Sequence, residues 1–306
     1  MKVTNEELRQ YDDFVLAIAH ELGCLEPPEH GLLWHYTTGQ GLLGIVQSGS
    51  VYATQVSCLN DSAEIKYASR LFKAAVAKLK NDSAELSKAC DEAADFYDAD
   101  DDDDYPGTLP YFVACFTRSE DNVSQWQGYG RGENGYAIGF SPAGLMRMGG
   151  LLARVSYDAA KHEEMATKLA KATIEFCQEG LDAHKADNPD EWKQDFLSKW
   201  DEKITQLAPM IKDPCWRHEE EYRVVRLLVQ GQLPELRVCQ RDTMMTRHLP
   251  LKMASDCCYP FLPIEQVVVG PCPHPSISRV SVDTLLRQYG YPPSIARSSS
   301  RPYRKT

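Results

Sequence analysis

The residues best placed to do chemistry lie in one short run, Trp216-Arg217-His218-Glu219-Glu220-Glu221-Tyr222-Arg223. Glu219, Glu221 and Arg223 alternate, so a strand beginning there would carry all three on one face. Three consecutive glutamates often mark only a solvated face. These abut the apolar run Val224 to Val229 and are flanked by Trp216 and Tyr222, which keeps an active-site role open beside that plain reading. Other polar groups lie near the ends of expected elements. His35-Tyr36-Thr37 falls within a first strand. Asn60-Asp61 with Glu64 opens a long helix, where Asn or Asp is a natural cap. Ser124, Trp126 and Tyr129 share the run Ser-Gln-Trp-Gln-Gly-Tyr.

Several familiar chemistries find no footing. Gly130-x-Gly132-x-x-Gly135 has the letters of a dinucleotide fingerprint, but that motif must follow a strand and open a helix. Here it follows a helical stretch and leads into a strand, so a glycine turn is expected. Cys257, Cys258, Cys272 and His274 lie close together, yet adjacent cysteines chelate awkwardly and no Cys-x-x-Cys pair exists. They read as structural, and no metal is expected. The serine-hydrolase elbow, P-loop, His-Glu-x-x-His and kinase signatures are absent.

The elements that must position these groups can be read from periodicity. Apolar residues at helical spacing mark helices over 6–23, 62–79, 162–180 and 190–211, with a further short helix over 39–49. A second helix toward Tyr97 is also expected. Extended segments are expected over 32–37, 51–59, 111–117, 135–140, 151–157, 221–229 and 264–270. Strands clustered around helical insertions, without regular βαβ alternation, predict an α+β fold. The boundaries expected are an N-terminal helix and linker over 1–30, a main domain over 31–275 with an acidic insertion at 91–107, and a C-terminal segment over 276–306 with a flexible basic tail from Pro292.

The chain has 306 residues, 43% of them hydrophobic, enough for one large or two small cores. Its formal charge of −11 is uneven. Nine acidic residues between Asp91 and Asp104 account for most of it; without them the charge is −2. The last twenty residues carry +5, so the total does not give the sign of a partner. No run approaches the roughly 20 apolar residues of a membrane helix. No secretory leader is visible at the start, and the ten cysteines are scattered, several in apolar runs such as that around Cys115. The expectation is a cytoplasmic protein with reduced thiols serving mostly as core filler, and with no membrane partner.

Taken in order, the motifs resemble those of a bacterial domain-of-unknown-function family. They are His35-Tyr36-Thr37, Asn60-Asp61-x-x-Glu64, Cys115-Phe116-Thr117, Ser124-x-Trp126-x-x-Tyr129, Gly135-x-x-Ile138-x-Phe140 and Trp216-x-x-Glu219-x-Glu221-Tyr222-Arg223. The likeness spans roughly Leu32 to Gly270, and that family looks distantly related to the ADP-ribosyltransferases. The resemblance implies two small sheets packed about a split NAD cleft, with helical insertions. It implies NAD as substrate, no metal, and a macromolecular acceptor, whether RNA, DNA or protein. Its implied setting is a toxin or phage-defence effector, with an antitoxin as a further partner.

The resemblance also distributes roles. Glu221 would stabilise the ribose cation and Glu219 would orient or deprotonate the acceptor. His35 would hold the ribose or phosphate side, Tyr36 or Trp126 would stack on nicotinamide, and Ser124 would brace Glu221. Thr37 and Tyr129 would belong to the same NAD pocket, and Arg223 would pair with a glutamate or a phosphate. The Ser-Gln-Trp triplet departs from the usual Ser-Thr-Ser. Two other readings keep the same fold: a non-catalytic module binding nucleic acid or protein, and an NAD glycohydrolase in which water replaces the acceptor.

Overall fold

A computed structural model describes residues 13–59, 63–82, 111–130, 135–183, 203–204, 206–228, 235–241, 244–254, 261–293 and 295–301. In chain order these form α1 (Asp13–Glu21), β1 (Leu33–Thr38), α2 (Gly39–Ser48), β2 (Val51–Gln55), α3 (Ala63–Asp82), β3 (Tyr111–Thr117), α4 (Val123–Tyr129) and β4 (Gly135–Phe140). There follow α5 (Pro142–Leu145), β5 (Leu151–Arg154), α6 (Ala159–Ala183), β6 (Glu221–Leu227), β7 (Arg237–Arg241), β8 (Met244–Leu251), β9 (Ile264–Val269), α7 (Pro275–Gln288) and β10 (Ala296–Ser298). The fold is α+β, as expected.

The strands form one hydrogen-bonded sheet that forks at β3. One edge of β3 pairs along its whole length with β6, from Tyr111 opposite Leu227 to Thr117 opposite Glu221, and β5 lies beyond β6. The other edge is shared. Near its end, Thr117 pairs with Trp34 of β1; near its start, Phe112 and Val113 pair with β2. From β1 the order runs through β4 and β9 to β10, and from β2 through β8 to β7. Every pair is antiparallel except β9 with β10. The two small sheets implied by the resemblance are not separate: the described strands form one sheet whose arms meet at β3.

Alternation along β3 sends side chains into two cores. Tyr111 and Val113 join a cluster with α1, α3, α6 and residues 204–211. Phe112, Ala114 and Phe116 join the other, with α2, α5, α7, β4 and β9. Cys115 and Thr117 come next on the first face but lie past the helices that cover it, and a pocket opens there. Local signals set the turns. Thr38 caps α2 by accepting a hydrogen bond from the Gly41 amide at 3.2 Å, and Gly49 ends that helix at φ 59°, a conformation glycine adopts without steric cost.

Several boundaries differ from expectation. β2 stops at Gln55, where a 3-10 turn over Val56–Cys58 takes over, and β5 stops at Arg154. The hairpin of β7 and β8 and the helix α7 were not expected; the hairpin's mixture of Arg, Met, His and Pro shows no clean alternation. The tail expected to be flexible from Pro292 instead supplies β10. It covers the edge of β9, buries Ala296, and docks Ser299 and Ser300 on Asp121. Asn60-Asp61, most of the helix expected over 190–211, the second helix toward Tyr97, the acidic insertion and Cys257-Cys258 lie outside the described residues.

Candidate active site

The start of β6 is built by an unusual turn. Asp213 accepts the Cys215 amide at 2.9 Å and opens a 3-10 turn over Pro214–Glu219. Glu220 then takes a left-handed conformation, φ 45°, the only non-glycine residue to do so among the described ones. β6 therefore begins at Glu221, not at Glu219. Glu219 does not share the strand face, contrary to the alternation expected; its carbonyl accepts from the Thr117 hydroxyl at 2.7 Å, anchoring the turn to β3.

What reunites the carboxylates is Lys212. Its ammonium donates to Glu219 at 2.6 Å and to Glu221 at 3.4 Å, and lies 5.3 Å from the centroid of the Trp216 ring. Arg223 grips Glu221 from its own strand face. Its Nε donates to Oε1 at 2.8 Å and its Nη2 to Oε2 at 2.9 Å, while Nη1 donates to the Pro209 carbonyl at 3.1 Å. Arg223 is 1% exposed and Glu221 6%. Burial alone would raise the Glu221 carboxyl, but Arg223 and Lys212 outweigh it and hold the group down at about 2. Glu221 is therefore ionised throughout the neutral range. It is a poor proton acceptor and a well-placed fixed negative charge. Its bracing, expected from Ser124, comes from Arg223, Lys212 and the Cys115 thiol.

A pocket with about 350 Å³ of space including its open mouth exposes the two carboxylates. Its polar side chains are His35, Cys115, Thr117, Gln125, Tyr129, Glu219 and Glu221, and its aromatic walls are Trp34, Tyr36 and Phe116. His35 donates from Nδ1 to the Cys115 carbonyl at 2.9 Å, which makes Nε2 the acceptor nitrogen of the neutral ring. Tyr129 lines the pocket although the residue as a whole is exposed. Burial first, then Cys115, Glu221 and Glu219, push its ionisation well above the ordinary tyrosine range. On the far side of β6 the Tyr157 hydroxyl accepts the Glu221 amide at 3.2 Å.

The remaining expected residues are placed differently. The Tyr36 hydroxyl donates to the Ser119 carbonyl at 2.8 Å and accepts the Asn122 amide at 3.0 Å, so it is engaged in holding a loop. Burial pushes its ionisation up to about 12. Trp126 stacks edge-on against Tyr36 at 4.6 Å, is 5% exposed, and donates its indole N–H to Asp121 at 2.8 Å. It supports the wall from behind and does not face the pocket. Ser124 is exposed, bonded to the Asn122 cap at 2.7 Å, and outside the lining; so is Thr37, whose hydroxyl packs against Gly41. Gly130 ends α4 and Gly135 begins β4, an order opposite to that of a dinucleotide loop. Among the described residues no group of three His, Cys, Asp or Glu side chains converges as a metal site.

Four contributors escaped the sequence reading. Gln125 sat within a motif already singled out, and Cys115 was assigned to the core although it reaches the pocket. Lys212 directly follows the apolar run Leu207–Ile211; a lysine there, beside an acidic motif, was the available signal. Tyr157 gave none.

Residues 125–224 match the model of a family described as a protein of unknown function, DUF2971. The matched stretch runs from α4 to the middle of β6. It contains Gln125, Tyr129, Tyr157, Lys212, Glu219, Glu221 and Arg223, but not His35. No curated protein and no solved structure matches the chain. No helix among the described residues is long and apolar enough to cross a membrane.

Proposed function

We propose that this pocket receives the nicotinamide–ribose end of NAD and transfers ADP-ribose to a macromolecular acceptor, in a cytoplasmic protein of ADP-ribosyltransferase type. The observation that carries this reading is the convergence of His35, Tyr129, Glu219 and a permanently ionised Glu221 on one aromatic-walled pocket. The enclosed space is about 50 Å³, well below the roughly 300–1,000 Å³ of small-molecule sites, so in this reading NAD lies across the open mouth with its reacting end against the carboxylates.

In such a transfer the ribose–nitrogen bond breaks with its electron pair passing to the nicotinamide ring, and the ribose carbon becomes cationic, as in glycoside hydrolysis. Glu221 supplies the fixed negative charge that this cation needs, already oriented by Arg223. Glu219 faces the same space and takes the proton that the acceptor loses on forming the new bond. Trp34 and Tyr36 present ring surface for nicotinamide. The Nε2 of His35 accepts a ribose hydroxyl hydrogen.

The experiment is incubation with NAD labelled on the adenylate side, with and without cell extract. Label appearing on protein or nucleic acid supports the transferase. Nicotinamide release without transfer identifies a glycohydrolase. Neither release nor transfer, with wild-type protein that is folded, overturns both.

A further inference from the structure

A second, wider cleft lies on the other side of the turn that carries Glu219. It has about 1,010 Å³ of space including its open mouth, and its walls come from the end of α1, residues 154–158, the first turn of α6 and Arg217. Tyr157 belongs to this wall while its hydroxyl accepts the Glu221 amide, and Arg217 stands two residues before Glu219. The two cavities therefore share the structural element that sets the carboxylates.

The charges here are arranged differently from those of the pocket. Arg154, Lys161 and Arg217 are exposed, and none of the three makes an ion pair with a described residue. The acids in the same walls are mostly engaged. Glu21 pairs with Lys168 at 2.5 Å, and Asp158 caps α6 by accepting the Ala160 and Lys161 amides at 3.1 and 3.3 Å. Glu26 is the remaining lining carboxylate. Ser156 and Tyr157 also line the cleft, their hydroxyls engaged by His162 and by the Glu221 amide. Two arginines and a lysine lining one open, polar concavity are the kind of donors that phosphate oxygens select.

We propose that this cleft binds phosphate groups. Which phosphates it takes rests on the reading of the neighbouring pocket: they are either the backbone phosphates of a nucleic-acid acceptor or the diphosphate of NAD reaching around the Glu219 turn. The site's own chemistry, three exposed cations without an ion pair among the described residues, is the same for both.

The test uses the full chain and the triple variant Arg154→Gln, Lys161→Gln and Arg217→Gln. Binding of a fluorescein-labelled 12-nucleotide RNA and of ADP-ribose is measured between 50 and 200 mM salt, with circular dichroism confirming the fold. A loss of at least about tenfold in RNA affinity, with the slope of log K against log salt falling by about 2, places the acceptor's backbone in the cleft. The same loss for ADP-ribose alone places the NAD diphosphate there. If wild type and variant bind both probes equally, or wild type binds neither, the proposal is overturned. Nicotinamide release by the wild type is read separately, so failure of the phosphate site is distinguishable from failure of the transferase reading.

Discussion

The pocket and the wide cleft stand on either side of one turn and treat charge in opposite ways. Beside the pocket Lys212, Arg223 and Glu221 are buried and, with the half-buried Glu219, form a matched set of two cations and two carboxylates with a fixed geometry. In the cleft the cations are exposed and make no ion pair among the described residues, so they attract but do not hold one geometry. Burial makes each partner in the first set costly to remove, whereas solvent screening makes each member of the second nearly dispensable to the fold. Under the proposed function the difference is a division of labour: charge fixed for stabilising a reacting centre, and charge left available for capturing an anion.

The largest expected effect breaks the matched set. Arg223→Ala leaves Glu221 buried beside an empty space and should cost about 3–5 kcal/mol in urea unfolding. Arg217→Ala in the cleft should stay within about 0.5 kcal/mol. Equal costs would mean that the two regions do not differ as described.

Acid sharpens the same contrast. The Glu221 carboxyl sits at about 2 in the folded chain, below its ordinary value near 4.5, so the unfolded chain binds more protons between those values. The stability it contributes is complete above the unfolded value and is lost as pH falls through the folded one. Unfolding free energy should therefore decline from pH 5 toward pH 2 in wild type, and less steeply in Glu221→Gln. Parallel profiles would contradict the assignment.

A smaller effect concerns the wall behind the pocket. Asp121 accepts Trp126, Ser299 and Ser300 side chains at 2.8, 2.6 and 2.8 Å, tying α4 to the C-terminal strand. Asp121→Asn should cost about 1.5–3 kcal/mol, the usual worth of a charge-assisted hydrogen bond, read as a lowered unfolding midpoint. The smallest effect is at Ser124. Its exposed hydroxyl touches only the Asn122 cap, so Ser124→Ala should change stability by no more than about 0.5 kcal/mol.

Much of this was legible from spacing. Buried strands such as Tyr111–Thr117 carry unbroken apolar and aromatic character, and the Glu219–Arg223 run stood out because acids seldom abut such a strand. What could not be read was tertiary. The alternation rule placed Glu219 on the strand, but a left-handed Glu220 interrupts it, and only Lys212 from another segment restores the pairing. Trp126 reads as a stacking group, but its indole N–H is claimed by Asp121 and its ring stands behind Tyr36, outside the pocket lining. The tail read as flexible from its Ser, Arg and Pro content because nothing local announces the open edge of β9 that it covers.

The central claim is that Glu221 stabilises charge developing at a ribose carbon. The most direct measurement is the rate of nicotinamide release from NAD by wild type and Glu221→Gln, with Glu219→Gln run alongside as a less buried variant and each shown folded by circular dichroism. The account requires release by wild type and a loss of about 10²-fold or more in Glu221→Gln. Release that is unchanged when a folded Glu221→Gln replaces wild type would contradict it.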